Sequence, residues 1–321
     1  MLLTERTTPT RGPDRARRGR ADRPGRKAAL LLSPTFLVLA LVVGYPLLAA
    51  LRESLFRGGD ELDESGFIVT GERFVGLDNY TAVFGEASAR FWNAFANTTL
   101  FTVTTVAAEV VIGTAMAVVM HRAMRGRGLV RASILVPWAI PTAVAGLLWR
   151  WIFQADGVAN SLLGTELLWT ADGWPAKLAV IIADTWKTAP FVGLLVLAGL
   201  QLIPQDVHEA ARLDGAGAWQ QFWRVTLPLV KPALLVAVLF RLLDALRMFD
   251  LPFVLVGAQK GAVETLSMLA WDEANQVRYG PAAAYAVLLF LYVAVVAFVF
   301  VRLLGADLLG DRRARRAGAR A

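Results

Sequence analysis

Six long apolar stretches dominate the chain, and shorter polar segments separate them. The apolar stretches cover residues 30–51, 97–120, 130–153, 176–202, 232–255 and 281–304. Each is about 20 residues or longer, the length that an α-helix needs to cross the hydrocarbon core of a bilayer. Inside a bilayer a helix satisfies its own backbone hydrogen bonds. The pattern therefore predicts an all-α fold, a polytopic transmembrane helical bundle with six spans.

The polar segments alternate in charge along the chain. Residues 1–27, 121–131 and 306–321 carry an excess of arginine, whereas residues 57–92 and 154–175 carry more acidic than basic side chains. An excess of Lys and Arg marks the cytoplasmic loops of membrane proteins. We therefore expect a multi-pass protein of the cytoplasmic (plasma) membrane with both termini in the cytoplasm, N-in/C-in.

Composition supports a single membrane domain. The 321 residues are 56% hydrophobic and only 18% charged, with no cysteine, so disulfides and thiolate metal sites are excluded. The net charge of +7 lies in the ends and one short loop, which membrane topology and contact with lipid explain better than binding to nucleic acid. We expect a basic disordered cytoplasmic tail at 1–27, a transmembrane domain at 28–305 and a basic cytoplasmic tail at 306–321.

One polar segment, residues 204–232, has a regular pattern of its own. Pro204 suits the start of a helix, and Gly215 suits a helix end, because glycine tolerates the left-handed backbone found there. A short helix is therefore expected over residues 205–213. Ala210 and Ala211 leave one side of that helix almost bare, so another protein can approach its backbone closely.

The same segment carries a recognisable motif. Glu-Ala-Ala, Asp-Gly-Ala and Leu-Pro follow one another, and a second short helix is expected near 218–225. The motif residues are Glu209, Ala210, Ala211, Asp214, Gly215, Leu227 and Pro228. Placed between the fourth and fifth predicted spans, this pattern resembles the cytoplasmic EAA loop of ABC importer permeases. In that family the loop docks into a cleft of a separate ATP-hydrolysing subunit, so the resemblance implies a type I ABC importer-like fold with a coupling helix in this loop.

Two further stretches resemble the carbohydrate-uptake class of these permeases, the maltose and trehalose type. They are residues 74–80, before the second span, and residues 241–250 in the fifth, while residues 257–261 lack the Gly-Gly-Pro turn common in the family. The resemblance implies a second homologous permease subunit forming a heterodimer, a nucleotide-binding ATPase dimer and an extracellular solute-binding lipoprotein. It implies a sugar substrate, a disaccharide such as trehalose or maltose.

No residues suggest that the chain is an enzyme by itself. It has no Gly-x-x-x-x-Gly-Lys-Ser/Thr sequence, so it has no P-loop for ATP phosphates. No nucleophile–base set or metal cluster is visible, and we expect no metal and no cofactor on this chain, with ATP and Mg bound by the partner ATPase. The residues alone leave a second function open, an ion-coupled secondary sugar transporter.

Charged side chains inside the fourth and fifth spans are the best candidates for a substrate path. A charged residue at the centre of a membrane helix costs about 2.5–3.5 kcal/mol, so these residues must pair or line a wet cavity. The candidates are Asp184, Trp186, Lys187, Arg241, Asp244, Arg247 and Asp250. In a continuous helix Arg241 and Asp250 point to opposite sides, so the last four are not expected to line one pore. The alternative is an ion-pair network that only locks the two spans together, and Glu109 is expected to bond to a neighbouring helix.

Overall fold

The computed structural model describes residues 24–62, 68–122, 125–171, 173–257 and 261–318. The chain forms two compact units, residues 1–49 and residues 50–321. Helix α1 (Pro24–Leu39), a π-helical turn (Ala40–Gly44) and α2 (Tyr45–Glu53) follow one another without a gap. They make the first candidate membrane span, Ala29–Glu53. Most of the predicted tail 1–27 lies outside the described residues.

A β-hairpin and a short helix follow the first span. Strands β1 (Phe56–Leu62) and β2 (Ile68–Phe74) are antiparallel, with Phe56 opposite Phe74. Helix α3 (Asp78–Phe84) comes next. The sequence pattern did not predict this hairpin, because its strands are polar and show no alternation. The fold is otherwise the helical bundle that was predicted.

Two long helices form the centre of the bundle. Helix α4 (Ser88–His121) and helix α8 (Gly173–Gln201) run parallel. Residues further along α4 contact residues further along α8. They touch most closely at Gly113, where a Cβ would lie 2.7 Å from the carbonyl oxygen of Ala189. Small residues at this level therefore allow the two backbones to pack directly. The end of the bundle where α4 begins is called here the hairpin end, and the end where α4 and α8 finish the loop end.

The third predicted span, 130–153, is bent. Helix α5 (Arg127–Ala139) and helix α6 (Thr142–Ile152) meet at an angle of 94°. Ile140 is extended, with ψ of 131°, as expected for a residue before proline, and Pro141 cannot continue the helix. The third predicted span is therefore two helices with a sharp bend between them. Helix α7 (Val158–Leu163) then leads to α8.

The predicted fifth span, 232–255, also differs from the structure at both ends. Helix α9 (Gln205–Leu213) has the predicted bounds, and α10 (Ala218–Gln221) continues through a π-helical turn (Phe222–Thr226) into α11 (Leu227–Ala245). One long helix therefore covers Ala218–Ala245. The helix stops at Ala245, and a separate helix α12 (Asp250–Leu255) begins after a break of four residues.

The chain ends with α13 (Leu266–Asn275) and α14 (Tyr279–Gly318). Helix α14 continues beyond the predicted sixth span, 281–304, so the backbone of 306–318 is helical too. Within the described ranges, five helices are long and apolar enough to cross a membrane, or six if the bent pair α5–α6 counts as one span. The prediction of a polytopic bundle is confirmed.

Candidate functional site

A buried arginine joins three helices near the middle of the bundle. Arg241 of α11 is 2% exposed, and its Nε donates to Glu109 Oε2 of α4 at 2.6 Å. Its Nη1 donates to Asp244 Oδ2 at 2.8 Å, and its Nη2 donates to Asp184 of α8. Breaking a buried pair by removing one partner costs about 3–5 kcal/mol, because the other charge stays behind. This Arg241 cluster therefore holds α4, α8 and α11 together.

Thr188 completes the contacts of the buried carboxylates. Its hydroxyl oxygen lies 2.5 Å from Glu109 Oε1 and 2.6 Å from the backbone oxygen of Asp184. A hydroxyl has one proton, so Thr188 can donate to only one of the two at a time. Thr188 of α8 and Arg241 of α11 are both within hydrogen-bond distance of Glu109. The sequence predicted a bond from Glu109 to a neighbouring helix. Its pairing with Arg241 was not expected.

A polar cavity of about 110 Å³ opens beside the cluster. It is called here the break cavity, because residues from both helix breaks line it: Thr142 begins α6, and Met248 and Phe249 lie between α11 and α12. Non-helical backbone at membrane depth occurs where it is buried in protein or lines a cavity. The complete lining is Thr142, Asp184, Lys187, Thr188, Arg241, Asp244, Arg247, Met248, Phe249, Asp250 and Leu251.

The break between α11 and α12 corrects one expectation. Arg241, Asp244, Arg247 and Asp250 all line the same cavity. The expectation that they could not share one pore assumed a continuous helix, but the backbone amides of Arg247 and Met248 bond three residues back and the regular ladder ends there. Asp250 belongs to α12 rather than α11. The direction of its side chain therefore does not follow from its distance from Arg241 along one continuous helix.

Trp186 is not among the residues that line the break cavity, and its place in a substrate path stays a prediction. Its ring packs edge to face against Trp149 of α6, with ring centroids 5.5 Å apart. Phe249 lines the cavity instead and stacks on Phe253. The sequence analysis missed Phe249, because nothing in the sequence marked the helix break before it.

The predicted coupling residues lie together at the loop end. Glu209 and Ala210 are exposed on α9, and Ala211 is half-buried. Gly215 has a φ of 79°, and the amide of Ala216 bonds the carbonyl of Ala211, which is the glycine-containing helix end that the sequence indicated. The remaining coupling candidates are Asp214, exposed beside Gly215, and Leu227 and Pro228 at the start of α11.

Exposed apolar side chains flank the turn after α9. Leu213 is 89% exposed at the end of the helix, and Trp219 is 75% exposed just beyond the turn. Across the described ranges no group of three or more His, Asp or Glu side chains could hold a metal ion.

Membrane-length helices around a polar cavity, with a short exposed helix between two of them, define the class as a membrane transport subunit. Residues 109–309 match the family described as binding-protein-dependent transport system inner membrane component, and the chain belongs to that family. It is therefore a multi-pass protein of the cytoplasmic membrane.

Two relatives cover almost the whole chain. The trehalose transport system permease protein SugA of Mycobacterium tuberculosis is 38% identical over 308 residues, which are 95% of this chain and 97% of the relative. The trehalose/maltose transport system permease protein MalF of Thermococcus litoralis is 36% identical over 279 residues, 85% of this chain and 92% of the relative.

Solved structures share the fold. A bacterial ABC transporter involved in the import of the acidic polysaccharide alginate contains a chain with a TM-score of 0.69 and 21% identity. The match covers 92% of this chain and 96% of that chain. The fold is therefore that of the type I ABC importer permeases.

Proposed function

We propose that this chain is the transmembrane permease subunit of an ATP-driven importer for a sugar, a disaccharide such as trehalose or maltose. The observation that carries the proposal is the break cavity, which charged and hydroxyl side chains line at the meeting point of two helix breaks. The names of the relatives, permeases for trehalose and maltose, support the same substrate class.

The break cavity has the groups that sugar hydroxyls need. Lys187 and Arg247 donate hydrogen bonds, whereas Asp244 and Asp250 accept them, and a hydroxyl does both. Phe249 adds an apolar wall. Arg241 is already engaged by three carboxylates, so it positions Asp244 rather than competing for the sugar.

A second permease subunit is needed to complete this path. At about 110 Å³ the break cavity is well below the 300–1,000 Å³ typical of ligand pockets. Asp244, Arg247 and Asp250 are exposed on one side of it. A homologous permease packed against that side in a heterodimer would enclose the sugar between the two chains.

We assign the loop end to the cytoplasm, with both termini on that side and the hairpin end outside. The exposed α9 segment then meets a nucleotide-binding ATPase dimer, which holds the ATP and Mg, while an extracellular solute-binding lipoprotein delivers the sugar. The family of this chain, inner membrane components of binding-protein-dependent transport systems, supports ATP-driven uptake over an ion-coupled carrier.

Uptake of labelled trehalose and maltose by the full complex in proteoliposomes tests the proposal. Uptake should need internal ATP, stop with vanadate and survive an ionophore. Transport that collapses with the ionophore and continues without ATP would establish an ion-coupled sugar carrier instead.

A glycine pair in the coupling loop separates coupling from folding. Gly215 has a φ of 79°, whereas Gly217, two residues on, has an ordinary φ of −65°, and a Cβ added at either position would have no neighbour within 4 Å. Gly215→Val should reduce ATP-driven uptake several-fold by misplacing α9, because a β-branched residue is strained there. Gly217→Val is the matched control, and equal uptake by both variants would argue against coupling through α9.

A further inference from the structure

A second cavity lies at the hairpin end. Its lining includes no residue of the Arg241 cluster. Its volume is about 350 Å³, within the range of ligand pockets. It is called here the hairpin cavity, because it lies between β1, α3, the end of α13 and the start of α14. Its lining is Arg57, Gly58, Asn79, Ala82, Val83, Glu86, Ala87, Glu273, Val277, Arg278, Pro281 and Tyr285.

The walls of the hairpin cavity are held rigidly. Asn79 donates to the carbonyls of Ser54 and Phe56, which ties α3 to the root of the hairpin. At Gly280 a Cβ would lie within 2.0 Å of the Phe56 carbonyl oxygen, so β1 is pressed directly onto the start of α14. The contacts of β1 with α3 and α14 thus fix the position of two walls of the cavity.

Two arginines, Arg57 and Arg278, line this cavity. The Nε of Arg57 donates to Asn79 Oδ1 at 3.0 Å, and the Nε of Arg278 pairs with Glu273 Oε2 at 2.8 Å. Each guanidinium is therefore oriented through its Nε, which leaves its two terminal nitrogens to donate elsewhere.

Tyr285 adds a hydroxyl group to the cavity wall. The residue lines the cavity from α14, and no hydrogen bond joins its hydroxyl to another described residue. The hydroxyl can therefore donate to, or accept from, a ligand or a water in the cavity. Val277, at the cavity edge, has a φ of 63°, a strained conformation for a β-branched residue of the kind found at functional sites.

We propose that the hairpin cavity binds a small neutral polyhydroxylated ligand, a sugar unit, as a second site apart from the break cavity. Its charges balance, with Arg57 and Arg278 against Glu86 and Glu273, so it favours neither an anion nor a cation. Sugar hydroxyls can accept from the guanidinium groups and donate to the carboxylates, and Pro281 with the neighbouring alanines offers an apolar wall. The choice of trehalose and maltose as probes, and the placing of the cavity outside the membrane, rest on the proposed function.

The test uses a reporter beside the cavity. The chain has no cysteine, so Thr81→Cys, on the exposed side of α3 next to Ala82, can carry a single environment-sensitive fluorophore. The labelled full-length chain in lipid nanodiscs is titrated with trehalose, maltose and glucuronate. We expect a saturable response to a neutral sugar, and the absence of any saturable response would overturn the proposal.

Two tyrosines of α14 provide a matched pair of variants. Tyr285→Phe removes only the hydroxyl and keeps the ring, which packs against Phe91, and it should raise the Kd about 2- to 10-fold. Tyr292→Phe removes a hydroxyl that lies 3.0 Å from Thr99 Oγ1 outside the cavity, and it should leave the Kd unchanged. An equal Kd for the two variants would refute the site.

Glu86→Gln supplies a second measurement if Tyr285→Phe fails to insert. Glu86 is exposed at the cavity, so this variant should fold normally and still weaken binding about threefold. An unchanged Kd in Glu86→Gln counts against the site, and tighter binding of glucuronate than of trehalose overturns the neutral assignment. Failure of the proposed function would appear separately, as sugar uptake that persists without ATP.

Discussion

The arginines of two arginine–carboxylate clusters differ in their access to water. Arg241 is 2% exposed and binds carboxylates from three helices. Arg90, near the start of α4, has a side chain that is 41% exposed, and it binds the buried Glu264 at 2.5 Å and the partly exposed Asp272 at 2.7 Å. Both clusters join distant parts of the chain, so geometry alone makes them look equivalent.

The two clusters should contribute differently to stability, because water reaches Arg90 but not Arg241. Exposed ion pairs contribute about 0–1 kcal/mol, because water and salt screen them, whereas a buried charge that loses its partner costs about 3–5 kcal/mol. The Arg90 cluster therefore supplements contacts that already hold the segment 261–266, including bonds from Asn93 and Asn97 to the Gly261 carbonyl. The Arg241 cluster joins three helices that also share an apolar contact, which includes Ala117, Val196 and Ala237.

The largest effect is expected from Arg241→Met. The substitution keeps most of the volume but leaves Glu109 and Asp184 buried without their cation, so stability should fall by about 3–5 kcal/mol. Thermal unfolding of the purified full-length chain measures this loss. Arg247→Met is the matched control, because Arg247 is exposed and its Nε bonds only the Leu243 carbonyl, and it should cost far less.

Compensating variants sharpen the assignment of partners. Replacing Arg241 and Asp244 together by leucine should not restore stability, because the Asp244 side chain is 68% exposed and the carboxylates left without a cation are Glu109 and Asp184. The triple change Arg241→Met, Glu109→Gln and Asp184→Asn should restore stability, and a double leucine variant as stable as the triple one would refute these pairings.

A smaller effect is expected where α4 and α8 touch, one helical turn from Glu109. Gly113→Ala places a Cβ about 2.7 Å from the Ala189 carbonyl oxygen, so the helices must separate, at a cost of about 1–3 kcal/mol. Gly128→Ala, with nothing within 4 Å of the added atom, is the control and should be close to neutral. Comparable unfolding temperatures for the two variants would show that the α4–α8 contact does not support the cluster.

Asp244→Asn should separate transport from stability. Asp244 lines the break cavity but is the exposed member of the Arg241 cluster, so its neutralisation should cost less than about 1 kcal/mol of stability. Uptake of sugar by the full complex should nevertheless fall, since an acceptor for sugar hydroxyls is weakened. An unchanged uptake rate together with lost stability would make Asp244 a structural residue only.

The sequence predicted the apolar helices and the α9 segment well, because length, hydrophobicity and glycine position act locally. Helix α9 spans Gln205–Leu213 as expected, with Gly215 at its end. The sequence did not predict the break after Ala245, because residues 246–249 contain neither glycine nor proline. Only tertiary contacts mark the position of the break. One such contact is the bond from the Thr265 hydroxyl to the Met248 carbonyl, which joins residues 17 apart. The shared cavity follows from that break.

The smallest effect is expected from Arg90→Gln, and it should depend on pH. Burial acts to raise the pKa of Asp272, but hydrogen bonds from Arg90 and Gln276 outweigh it, so the pKa of Asp272 lies below its usual value of about 3.9. A carboxylate with a depressed pKa contributes stability above its unfolded-state pKa, and the contribution is lost as the pH falls through the folded-state value. The amide introduced by Arg90→Gln can still donate to the buried Glu264, so this variant mainly weakens the exposed pair with Asp272. Loss of that pair should cost about 1 kcal/mol or less at pH 7, and the difference from wild type should shrink below about pH 4. Thermal unfolding of both proteins across this range provides the measurement. A loss of stability as large as that of Arg241→Met, or one that grows as the pH falls, would show that exposure to water does not set the difference between the two clusters.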